Sequence, residues 1–144
     1  METVGRLLVA TDFSDDSARA LVWGKELARR FGAEIVVLHV EELLAGAPSS
    51  DLAVERHRAA EQGLERLVAQ LREGGFAARG VLRAGTAFED IVDVALAEPV
   101  DLIVLGTHGR SGLFHLLMGS VAERVVRHAH CPVLTVRHTE DGSP

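Results

Sequence analysis

Two apolar periods alternate along this chain, and that alternation does most to limit its fold. Arg6-Leu7-Leu8-Val9-Ala10 is a short apolar run closed by Thr11-Asp12, the pattern of a buried strand. Ser14 then offers a helix N-cap, and Asp15 and Asp16 sit in a first turn where the helix dipole favours anions. Ala20, Gly24, Leu27, Ala28 and Phe31 share one helical stripe, and Gly32 stops it. Glu34–Val40 predicts a second strand, apolar on both faces at its centre as a central parallel strand should be. Residues Glu41–Ser50 contain Gly46 and Pro48, lack a period and predict a mobile loop.

The alternation continues to the end. From Asp51 to about Arg72 a long helix carries Ala60, Gly63, Leu64, Leu67, Val68 and Leu71 on one side, and Gly74-Gly75 end it. Ala77–Arg83 is a weaker apolar run, placed at a sheet edge. Thr86 and Glu89 form a capping box for a helix reaching Glu98, with Phe88, Ile91, Val92 and Ala95 inward. Asp101–Leu105 is the fourth strand. A glycine-rich loop follows from Gly106 to Gly119, and Ser120 opens a helix with Val121, Ala122, Val125, Val126 and Ala129 on its buried side. Cys131–Val136 is the fifth strand, and residues 139–144 form a polar, frayed tail. Five strands separated by helices predict an α/β fold: an open parallel sheet covered on both faces, with right-handed crossovers. Periodicity leaves the strand order open. The two common orders both place ligands at the carboxyl ends of strands, where the order reverses.

Composition narrows the function. A chain of 144 residues suits a single domain over 1–144 and leaves little for a second core. Apolar residues are 47% and charged residues 25%, which excludes disorder over the whole chain. Cys131 is the only cysteine, so a disulfide scaffold is excluded and a reducing, cytoplasmic setting is expected. The 21 acidic against 15 basic residues give a net charge of −6, the wrong balance for a nucleic-acid partner. No apolar run approaches the roughly 20 residues that span a bilayer, so no membrane partner is expected. The start, Met1 to Arg6, is acidic and passes straight into a strand, unlike a basic secretory signal.

The segment that carries chemistry runs from Gly106 through Thr107, His108, Gly109, Arg110 and Ser111 to Gly119-Ser120. It leaves a buried strand and enters a helix. Phosphate binding needs small residues that let backbone N–H groups approach oxygen, and a helix N-terminus aimed at the anion. Gly119-Ser120 supplies both and adds a hydroxyl, while Gly106 and Gly109 supply a tight turn. It is not a Walker A loop, since no Lys-Ser or Lys-Thr follows a glycine, and Gly-x-Gly-x-x-Gly is absent. A glycine-rich turn required only by chain geometry is the competing reading.

Gly106-x-x-Gly109, nine further residues and then Gly119-Ser120 resemble the nucleotide loop of the ATP-binding branch of the universal stress proteins. Leu8 to Ser14 resembles that family's first strand and acidic turn, and Gly119 to Val126 with Cys131 to Leu134 is similar to its closing helix and strand. The likeness covers nearly the whole chain. It implies a Rossmann-like sheet of order 3-2-1-4-5, with strands 1 and 4 adjacent at the reversal. It also implies ATP contacts. Ala10, Thr11 and Asp12 would line the nucleoside side, with Asp12 accepting from ribose hydroxyls or helping hold a nucleotide-bound Mg²⁺ or Mn²⁺. Val40 would touch adenine. Leu105, Gly106, His108 and Gly109 would lie along the ribose and first phosphates, with Arg110 the nearest cation. Gly119, Ser120 and Val121 would hold the outer phosphates. Some ATP-binding relatives have proline where this chain has Ala10. The likeness further implies a homodimer through antiparallel pairing of strand 5 (Val133, Leu134, Thr135, Val136), and a proline at Val136 is expected to break that ladder.

Other residues point elsewhere. Asp12 alone could be a turn residue. His128, His130 and Cys131 are close together but fit no familiar zinc spacing. His108 and His115 touch phosphate or sit in solvent. Trp23 and Phe31 are expected in the core or at a subunit contact. The function that follows is an ATP-binding stress-response or signalling module with at most slow hydrolysis, because fast phosphoryl transfer needs a placed cation and the only lysine, Lys25, lies on the first helix. Two alternatives are a nucleotide-free dimeric interaction module and a related nucleotide α-phosphate-cleaving enzyme. The motifs usual in the latter, His-x-Gly-His and Ser-Gly-Gly-x-Asp-Ser, are absent.

Overall fold

A computed structural model describes residues 3–42, 50–108 and 118–137. Within them the chain runs β1 (Arg6–Ala10), α1 (Asp15–Phe31), β2 (Glu34–Glu42), α2 (Ser50–Glu73), β3 (Ala78–Gly85), α3 (Ala87–Ala97), β4 (Leu102–Gly106), α4 (Ser120–His128) and β5 (Val133–Val136). The strands form one sheet of order β3-β2-β1-β4-β5, and every pairing is parallel. This is the α/β architecture, and the 3-2-1-4-5 order, that the sequence and its resemblance imply.

Period-two alternation divides the core into two layers. Leu7, Val9, Ile35, Val37 and Val104 face α1 and α2, and pack with Ala20, Ala28, Leu64, Val68 and Leu71. Leu8, Val36, Leu38, Ile103 and Leu105 face α3 and α4, and pack with Ile91, Val94, Ala122 and Val125. The three inner strands are therefore apolar on both faces, which is what helices on both sides demand. α1 is well terminated: the Ser14 hydroxyl accepts from Ser17 N, and Gly32 closes the helix at φ 67, in the left-handed region.

Several expectations shift by a residue or a face. β2 continues to Glu42 because β3 pairs with it through Glu41↔Ala84 and Glu42↔Gly85, so the first two residues of the expected loop are strand. The remainder of that loop, 43–49, lies outside the described residues, as does the tail 139–144. β5 begins at Val133, since Pro132 has no N–H to continue the ladder, although its carbonyl accepts from Ile103 N at 3.0 Å. Thr86 is the N-cap of α3 but its side chain makes no capping hydrogen bond among the described residues, so the capping box is not formed. On α3 the inner residue is Val94, not Val92. Val126 on α4, Phe31 at the end of α1 and Trp23 on α1 are exposed rather than core. Each misplaced residue lies at the border of an apolar stripe, where one helical step of 100° decides the environment.

Candidate functional site

The carboxyl ends of β1, β2 and β4 meet the N-terminal end of α4 around a cavity of about 970 Å³. It sits where the strand order reverses. Ten of the residues expected at the site line it: Ala10, Thr11, Asp12, Val40, Leu105, Gly106, His108, Gly119, Ser120 and Val121. The other two, Gly109 and Arg110, lie outside the described residues.

The β1 end is a tight, heavily bonded turn. Thr11 N donates to Leu38 O at 2.8 Å, and Thr11 Oγ1 accepts from Phe13 N at 3.0 Å. Asp12 Oδ1 accepts from Ser14 N at 3.0 Å, so the carboxylate both shapes the turn and borders the cavity. The turn forces Phe13 to φ 64, a conformation that costs a bulky residue about 1–3 kcal/mol. The Phe13 ring is held against His39, with centroids 4.6 Å apart. His39 Nδ1 lies 2.7 Å from Thr11 O. A carbonyl can only accept, so Nδ1 carries the hydrogen.

The β4 side is pinned by Asp16, which sequence reasoning treated only as a first-turn anion. Asp16 is 3% exposed, and its Oδ2 accepts from His108 N at 2.9 Å. The same oxygen occupies the space that a side chain at 106 would need. Gly106 is therefore a strand residue that lets a carboxylate approach the backbone, not a turn glycine. The other end of the loop is clamped too. Gly119 N donates to Thr107 O at 2.6 Å, and a Cβ at 119 would come within 2.7 Å of that carbonyl. The N–H of Gly119 is thus committed inside the protein. Gly119 is also the N-cap of α4 and brings no side-chain acceptor, so among the described residues no capping side chain covers the first turn of α4, whose N–H groups, beginning at Ser120 and Val121, are of the kind that meet an anion.

Sequence reasoning missed part of the wall. Glu41 and Glu42 on β2, Arg56 and Ala59 on α2, and Thr107 and Met118 at the loop ends all border the cavity. Polar strand residues and a solvated helix face carry no periodic signal, so only the packing of α2 over the β2 end brings them in. Outside the cavity, Cys131 is half-buried. Burial pushes its thiol up first, and the Asp101 carboxylate adds to the shift. Among the described residues no group of three or more His, Cys, Asp or Glu side chains is arranged to hold a metal ion, and no helix is long and apolar enough to cross a membrane.

An open parallel sheet with a crevice at its reversal point, and a helix N-terminus opening into that crevice, defines a doubly wound α/β protein of the kind that takes small ligands at its strand ends. The family model for the universal stress protein family matches residues 3–137, and the chain belongs to that family. It is similar to universal stress protein MJ0531 of Methanocaldococcus jannaschii, 33% identical over 141 residues, covering 92% of this chain and 81% of that protein. The solved structure of MJ0577, from the same organism, superposes with a TM-score of 0.84 at 28% identity, covering 96% of this chain and 99% of that one. A universal stress protein from Archaeoglobus fulgidus, solved in complex with dAMP, gives 0.67 at 28% identity over 95% of this chain and 100% of that one.

Proposed function

We propose that this protein binds an adenine nucleotide, ATP in the first place, and acts as a nucleotide-dependent stress-response or signalling module in the cytoplasm. The observation that carries the reading is the junction of Thr107, Gly119 and α4. A glycine N-cap without a side-chain acceptor opens the first turn of a helix toward a cavity large enough for a nucleotide. The dAMP held by the Archaeoglobus fulgidus relative supports an adenine ligand. In this reading Val40 and the β2 end meet the base, Asp12 the ribose, and Ser120 and Val121 the phosphates, with Gly109 and Arg110 completing the loop. Mg²⁺ or Mn²⁺ would arrive with the nucleotide. The described cavity carboxylates, Asp12, Glu41 and Glu42, fit a metal held by one carboxylate and phosphate oxygens rather than by a dedicated cage. Hydrolysis is at most slow: the cation on the described lining is Arg56, on α2, across the cavity from α4.

Calorimetric titration with ATP tests the site. Gly119→Val drives a branched side chain into the Thr107 carbonyl and displaces the α4 N-terminus, so affinity falls more than tenfold, which is about 1.4 kcal/mol or more. Equal affinity, with an unchanged circular dichroism spectrum, rules this cavity out as the nucleotide site. Competition between ATP and GTP tests the base contact, because the two purines present different donor and acceptor edges. ATP is expected to win.

The same reading includes a homodimer through β5, the outer strand of the sheet. The ladder alternation identifies the groups available for it. Pro132 O and Val136 O both accept from β4, from Ile103 N and Thr107 N. Residues 132, 134 and 136 therefore turn their backbone groups inward, and Val133 and Thr135 turn theirs outward. Val136 is thus the wrong place for an edge-breaking proline, which would remove a donor from the β4 ladder. Thr135 is the right one.

A further inference from the structure

We infer that Trp23 is the apolar anchor between two copies of this chain, buried against the partner subunit's α1 when the β5 edges pair. The inference rests on the β5 pairing proposed above and adds a side-chain contact to it.

Trp23 is 51% exposed; Val22 and Phe31 on α1 are exposed as well, and what singles out Trp23 is the direction it faces. Its direction follows from its neighbours. On α1, Ser17 Oγ lies 3.1 Å from Thr11 Oγ1, at the end of β1. One residue back, Asp16 reaches His108 N, just beyond β4. The Asp16 flank of the helix therefore looks from β1 toward β4 and β5. Trp23 is seven residues after Asp16, close to two full turns, so it shares that flank. On the opposite flank, Arg29 stacks over Phe76, which leads into β3 at the far side of the sheet. α1 itself packs against β5 as well as β4.

Its height follows from register. A Cβ on Gly24 would touch Val9 Cγ2 and Leu7 Cδ1, so this turn of α1 lies over Leu8. Leu8 pairs with Ile103 and Val9 with Val104, and these pair with Val133 and Leu134. Trp23 is thus level with Val133 and Leu134. An antiparallel pairing that uses every outward group matches Val133 with the partner's Thr135, which puts the two-fold axis at Leu134. Leu134 packs into the layer beneath α1. Trp23 and Leu134 therefore come together where the axis passes.

Distance supplies the reason for an indole. With strands about 4.8 Å apart, the two α1 helices would lie three to four spacings apart across the joined sheets, roughly 14–19 Å. Helices in contact pack at about 8–10 Å. A gap of that size is bridged by a large flat side chain from each side and stays open with a small one. A four-residue edge alone also falls well short of the about 800 Å² per partner typical of a stable interface.

Trp23 is the only tryptophan and the chain has no tyrosine, so indole emission reports this one site. The test combines light scattering and fluorescence over a dilution series of the full chain, with Trp23→Ala and Thr135→Pro checked for folding by circular dichroism. The expected result is emission that shifts to longer wavelength as the wild-type dimer dissociates, and a dimer Kd at least tenfold weaker in Trp23→Ala. A wild-type dimer that Thr135→Pro dissociates, with Trp23→Ala as tight as wild type or emission unchanged on dilution, overturns the Trp23 contact and leaves the β5 pairing standing. A wild type that is monomeric at micromolar concentration overturns both. If Trp23→Ala does not fold, the wild-type emission series decides alone.

Discussion

Asp16 and Gly106 form a matched pair. The carboxylate needs the missing side chain, and the His108 N–H needs the carboxylate. Asp16→Ala should cost about 1–3 kcal/mol, the range for leaving a buried donor unpaired, measured by urea denaturation. Gly106→Ala should destabilise the wild type and do so less on the Asp16→Ala background, because the carboxylate that the methyl group meets first is then gone and the Asp16 backbone carbonyl at 3.0 Å remains. Additive effects in this double-mutant cycle would show that the two positions are not coupled. His57 gives a second residue-scale prediction. Its Nδ1 lies 2.6 Å from Glu41 Oε1, and its Nε2 lies 3.0 Å from Glu61 Oε1. The hydrogen bond to Glu41 and that carboxylate's charge hold the imidazole above its ordinary 6.5, with a smaller contribution from Glu61. Folding therefore favours the protonated form. The tie between β2 and α2 is fully present below pH 6.5 and is lost as the pH rises through the raised folded value. Proton NMR of the imidazole should show that elevated midpoint, and Glu41→Gln should return it toward 6.5.

At the scale of elements, adjacent valines on α4 have opposite fates. Val125 is fully buried in the core layer that α4 shares with α3, while Val126 is 47% exposed. Val125→Ala removes buried methyl groups and leaves a cavity, at a cost of about 2 kcal/mol. Val126→Ser should change stability by less than about 0.5 kcal/mol. Thermal or urea unfolding checks both, and a reversed order would mean that α4 is rotated by about one residue. This rotation matters for function, since the same face brings Val121 and Ala122 to the cavity wall. Most elements were legible in the sequence: the three inner strands and the stripes of α1 and α2 follow from apolar spacing alone. The ends were not. β2 gains Glu41 and Glu42 because β3 is there to pair with them, and no local pattern announces a neighbour that far along the chain.

Across the whole molecule, β5 has β4 on one side. Its outward N–H and C=O groups, at Val133 and Thr135, form a template for another strand. Thr135→Pro removes one outward donor and leaves the β4 ladder intact, so light scattering should fall from dimer to monomer with the fold retained. Val136→Pro instead removes an inward donor and should lower the unfolding midpoint itself. A Thr135→Pro chain that stays dimeric would move the interface away from β5.

The sequence by itself determined the class of fold, because a strand buried on two faces and a helix buried on one leave different apolar periods in the chain. It also located the glycine loop, since close backbone approach excludes side chains and that requirement is visible in any single sequence. What it could not carry was the identity of the atoms that approach. Gly106 gives way to Asp16, a residue some 90 positions earlier, and Gly119 gives way to the carbonyl of Thr107. The cavity wall on α2, the flank of α1 that carries Trp23 and the inward turn of Val136 were likewise decided by the tertiary structure. Each depends on which strand lies next to which, and strand order is a property of long-range packing that local spacing does not encode.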